Sequence, residues 1–166
     1  MWGDFGACGD QRKGYTLHGI EIFCAPGEVV IAPEDSRVVK TGLLGKDHCY
    51  ASGTEYVLLQ NNEQNYIMFG GLTDCIEQEI GKVKLGDKIG TVAKFSEKTM
   101  IEFLNNYNAK KIAPYVLDLH RKDALGVVHI DYVTKDDAPP DENVFPDHIR
   151  MGAYDDPKRY LKLIPR

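Results

Sequence analysis

Five histidines, four cysteines and 25 acidic side chains are the groups in this sequence able to bind a metal or to do acid, base or nucleophilic work. A catalytic zinc needs three protein donors around one open position, so what matters is which histidine has company. His18 stands an odd number of residues before Glu21, and an extended chain sends the two to opposite faces, leaving His18 as an edge or surface residue. His48 and His120 read as exposed loop histidines, and no Ser/His/Asp or Cys/His set is defined by spacing, because such partners meet only in a fold. Neither Gly-x-Gly-x-x-Gly nor the P-loop pattern occurs, so phosphate cradling of those kinds is excluded. Cys8, Cys24, Cys49 and Cys75 are too widely spaced for a Cys-x-x-Cys metal knuckle. They permit three pairings, or four reduced thiols in a cytosolic protein.

The elements that would position these groups are short strands. Ile20, Ile22, Val29 and Ile31 are β-formers with near period-two spacing, broken by Ala25-Pro26-Gly27, which a strand interior would not accept. Another strand follows through about Lys40. Gly42 to Thr54, bounded by turn residues, reads as a loop bordering a groove. Tyr56 to Gln60 and Asn65 to Phe69 predict a hairpin turning at Asn61 to Gln64. Continued past its ends, that ladder brings Cys49 opposite Cys75. Ile80 to Val92 predicts two short strands around a glycine turn. Thr99 to Leu104 and Gly126 to Val133 read as strands, Lys135 to Glu142 as an acidic solvated loop, and Asp156-Pro157 as a helix start.

With 166 residues, 43% hydrophobic and 27% charged, the chain has enough apolar material for one core with some decoration. A net charge of −5 argues against a nucleic-acid or anionic-membrane partner held by bulk electrostatics, and no apolar run reaches the roughly 20 residues that span a bilayer. The first ten residues lack the basic start and apolar run of a signal peptide, which predicts an intracellular protein or a processed form.

His18-Gly19-Ile20-Glu21-Ile22, then Ala25-Pro26-Gly27 and Val30-Ile31-Ala32-Pro33, resemble the opening motif of the lysostaphin-type zinc metallopeptidases. The likeness is strongest to the leukocyte cell-derived chemotaxin type. The family opens on His-x-Gly-hydrophobic-Asp, so the zinc histidine falls on Leu17 and the aspartate on Glu21. Its Tyr-x-His-Leu pattern meets Phe69-Gly70-Gly71-Leu72, which puts an auxiliary histidine on Gly71. Its closing His-x-His-Phe-Glu strand meets the stretch ending in Phe103, with Lys98 and Met100 in the histidine places. Leucine and methionine thereby replace imidazoles, and Glu21 alone remains as a donor. A second alignment treats Lys94 to Val127 as an insertion and makes His129, in His129-Ile130-Asp131, the closing ligand; His148-Ile149 is a fainter echo. The resemblance also implies a Cys8 to Cys24 disulfide.

This reading implies a mainly β fold, a β-sandwich or half-barrel of the lysostaphin type, over residues 1–117, with 118–166 as an extension packed on the domain or on a partner. The implied function is a catalytically inactive, peptidase-like module that binds a protein or peptide for recognition or signalling, with no metal and no cofactor. It would be secreted or reside in another oxidising compartment. The alternatives are a structural subunit of a larger, intracellular or organellar assembly, motivated by the length of the tail, and a zinc metallopeptidase with relocated ligands.

Overall fold

Runs of β-branched and aromatic residues become strands here, and glycine, proline or asparagine ends them. The computed structural model describes residues 2–3, 20–44, 53–94, 118, 126–138 and 141. Within them lie β1 (Trp2–Gly3), β2 (Ile20–Cys24), β3 (Val29–Ile31), β4 (Ser36–Leu43), β5 (Glu55–Asn61), β6 (Tyr66–Thr73), β7 (Lys82–Val83), β8 (Lys88–Val92) and β9 (Gly126–Val133), with one 3₁₀ turn at Gln78–Ile80. All the pairings are antiparallel. The strand order is β1-β2-β9-β6-β5-β4-β7, and β8 pairs with both β3 and β6. The sheet curls into a half-barrel, one of the two mainly β forms that the resemblance implied.

The β5–β6 turn shows how local chemistry sets register. Asn61 Oδ1 accepts from the backbone N–H groups of Glu63 (3.0 Å) and Asn65 (2.9 Å), closing an Asx turn, and Gln64 takes φ +66°. Leu58 then pairs with Met68 and Gln60 with Tyr66, one residue out of the expected register, and the ladder shifts again between Glu55 and Val57. Cys75 lies past the end of β6, outside this ladder. Cys49 lies outside the described residues, so the described ladder does not reach the expected Cys49 to Cys75 bond.

Alternate residues on each strand separate two apolar clusters. Val57 and Leu59 of β5, Ile67 and Phe69 of β6, and Val128, Ile130 and Tyr132 of β9 join Ile20, Leu72 and Ile89 in the larger one. Tyr56, Leu58, Tyr66, Met68 and Val133 join Val39 and Leu44 in the smaller. Full burial of a leucine or isoleucine contributes about 1.5–3 kcal/mol before entropy, so both clusters hold the sheet together. β9, flanked by β2 and β6, is buried at every position except His129, which is partly exposed. The sheet therefore does not stop at residue 117: a strand assigned to the extension lies in its middle.

Candidate functional site

β9 puts a titratable pair in the middle of the sheet. His129 is the register partner of Glu21 on β2 and of Gly70 on β6, so one rung runs Glu21, His129, Gly70. Asp131, two residues on and thus on the same face, is level with Met68. Its carboxylate Oδ2 lies 3.0 Å from His129 Nε2, with side-chain exposures of 17% for the histidine and 3% for the aspartate. Asp131 Oδ1 is buried with no hydrogen-bond partner. A carboxylate oxygen left in that state costs about 1–3 kcal/mol, and more when ionised, so Asp131 leans on His129 for what compensation it has.

The neighbouring backbone shapes the face around this pair. Gly70 leaves room for Leu44: a Cβ at Gly70 would come within 2.8 Å of Leu44 Cδ1 and 4.0 Å of His129 Cβ. Leu44 itself is held at a loop neck, its N–H donating to Thr54 O and its carbonyl accepting from Gly53 N–H, each at 2.9 Å. The loop expected to border a groove thus begins with a leucine packed over Gly70, the register partner of His129. Gly71 has φ +79°, and an added Cβ would run into the Val127 carbonyl oxygen.

Leu17, Lys98 and Met100 lie outside the described residues, as do Cys8, Cys49 and the expected strand Thr99 to Leu104. Glu21 is placed by its backbone alone, on the rung with His129. The structure therefore brings Glu21 and Gly71 to the strands flanking His129. Asp131 carried no separate role in the sequence reading; its signal was its place beside His129 in a run of Val, Ile and Tyr. Among the described residues no group of three His, Cys, Asp or Glu side chains is arranged to hold a metal ion.

Among the described residues Cys24 and Cys75 carry free thiols, and their expected partners Cys8 and Cys49 lie outside them. Burial, with the Glu28 charge second, pushes the Cys24 thiol up to about 11. Burial, then the charge and hydrogen bond of Glu55, pushes Cys75 up to about 12. Neither is a nucleophile at neutral pH. Cys75 lines a cleft of about 430 Å³ with Glu55, Glu77, Glu79 and Leu43. Glu55 Oε2 accepts from Cys75 N–H at 3.0 Å.

The architecture has a solved counterpart. The catalytic domain of the antimicrobial peptidase lysostaphin from Staphylococcus simulans matches with a TM-score of 0.60 over 98% of this chain and 92% of that one, at 17% identity. The chain has the lysostaphin-type peptidase fold. At that identity the likeness speaks for the fold alone, and no family model and no curated protein matches the sequence. β2, which carries the opening motif, lies between β1 and Gly126–Val133.

Proposed function

We propose that the chain uses the lysostaphin-type fold to bind a protein or peptide and does not hydrolyse it through zinc. The observation that carries this reading is the composition of the rung at the middle of the sheet. His129 supplies one imidazole there, its Nε2 already 3.0 Å from Asp131 Oδ2, Glu21 supplies one carboxylate position, and the sequence offers leucine at position 17 where the resemblance expects the other imidazole. One imidazole and one carboxylate fall short of the three donors a catalytic zinc requires. Leu43, exposed on the cleft it lines with Cys75 and Ile76, supports contact with a polypeptide. The chemotaxin-type resemblance supports a recognition or signalling role and a secreted protein.

A second reading keeps the zinc and moves its ligands, and the register of Glu21 with His129 favours it. Metal analysis of the full chain after dialysis against zinc, alongside a peptide-hydrolysis assay, separates the two. Substoichiometric zinc and no hydrolysis are expected. One zinc per chain, lost in His129→Ala together with hydrolysis, would overturn the binding-module reading.

A further inference from the structure

Resting on the metal-free reading, we infer that position 71 has become a joint of the half-barrel at which no side chain can stand, so the auxiliary histidine expected there cannot be restored by substitution. β6 pairs with β9 as far as Gly70 and His129, then leaves it and pairs with β8 from Leu72 and Val92 onward. Gly71 is the residue between the two ladders. Its carbonyl accepts from Ala93 N–H at 2.9 Å, which fastens the end of β8 to the crossing point.

The opposite side of the joint is glycine as well. A Cβ at Gly126, the first residue of β9, would strike Val92 Cγ1 and lie 3.1 Å from the carbonyl oxygens of both Ala93 and Cys24. Main chain from β2, β6, β8 and β9 therefore meets at closest approach around two glycines far apart in sequence. At Gly71 the obstacle is the Val127 carbonyl, a backbone group of a central strand, and the left-handed φ adds strain for any L-residue. Gly86 shares the left-handed conformation, φ +88°, but has open space around it. Gly70 has the reverse, crowding without a positive φ, and its obstacle is the flexible end of Leu44. Gly71 alone of the three combines both constraints, and its neighbour cannot yield without disturbing the β9 backbone.

A change of side chain removes a donor and leaves the scaffold free to regain it. Here the backbone occupies the place where a side chain would begin, so regaining the donor means remaking the sheet.

The test is thermal unfolding of the full chain as wild type, Gly70→Ala, Gly86→Ala, Gly71→Ala, Gly71→Asn and Gly71→His. Strain alone predicts that Gly86→Ala melts a few degrees low, and Gly70→Ala stays folded because Leu44 moves. Gly71→Ala is expected to melt roughly 10 °C or more below wild type, or not to fold. Gly71→Asn should fare no better, although asparagine tolerates left-handed backbone. A Gly71→His or Gly71→Ala protein melting alongside Gly86→Ala would overturn the inference, and so would a Gly70→Ala protein as damaged as the Gly71 variants. Zinc bound stoichiometrically by the wild type would instead defeat the metal-free reading and leave this melting order untouched.

Discussion

The two faces of β5, β6 and β9 are built from the same strands by alternate residues, yet they obey different rules. On the larger-cluster face every contributing position is apolar: Val57, Leu59, Ile67, Phe69, Val128, Ile130, Tyr132. On the other face the apolar row of Leu58, Met68 and Val133 is interrupted on β9 by Asp131 and His129 and on β6 by Gly70. The first face specifies the fold, because burial tolerates no polar side chain without a partner. The second holds a histidine–aspartate pair whose aspartate has an unsatisfied oxygen, the kind of local cost a fold carries when it has been shaped for something other than stability.

The largest expected effect tests the face that carries the fold. Leu59 is fully buried in the larger cluster, and Leu59→Ala should lower the stability of the chain by about 2–5 kcal/mol in urea unfolding. A loss under about 1 kcal/mol would mean that this face is not the one holding the sheet.

An intermediate effect probes the other face. His129→Ala removes the group that compensates a carboxylate only 3% exposed and should cost about 2–4 kcal/mol. Adding Asp131→Ala to it should recover part of that loss, giving a coupling of about 1–2 kcal/mol in a double-mutant cycle. Additive losses would show that His129 and Asp131 act as separate packing residues and would erase the contrast between the faces.

Much of the larger-cluster face was legible in the sequence. Ile20 and Ile22, the Ala25-Pro26-Gly27 break, the β5–β6 hairpin, and the run Gly126 to Val133 each carry a local signal, period two or a turn residue, and each formed the element it predicted. Register was legible to within one residue, because the Asx turn at Asn61 is decided by side-chain hydrogen bonds that spacing does not encode. The place of β9 was hidden for another reason. A strand between β2 and β6, reached through more than thirty intervening residues, is a long-range pairing with no local mark, so its residues read as part of an extension. The rung of Glu21, His129 and Gly70 was hidden with it. His129 was visible only as an alternative ligand, and Leu44 only as the mouth of a loop.

The smallest effect separates the faces by pH. Cys24 and Cys75 sit at the margin of the larger cluster, and burial first, then Glu28 or Glu55, raises their thiols from the ordinary 9.0 to about 11 and about 12. A folded value above the unfolded one means that the neutral thiol is favoured by the fold. The contribution is complete below pH 9.0 and is lost as pH rises toward 11 and 12, because the unfolded chain ionises first. Both thiols keep some solvent access, so screening holds the loss at pH 10 to no more than about 1 kcal/mol. Tyrosine and lysine titrate in the same range, so the readout is a difference: the stability of wild type should fall more steeply between pH 8.5 and pH 10 (roughly the onset of thiol ionisation) than that of a Cys24→Ala, Cys75→Ala double variant. Parallel slopes would mean that these cysteines are already bonded in the folded protein. Their labelling by iodoacetamide in denaturant without reductant distinguishes that case, since free thiols take the label and disulfides do not. An alkaline slope that vanishes with the cysteines and is untouched by His129→Ala would place the titrating groups on the fold-bearing face and leave the histidine and aspartate to the other.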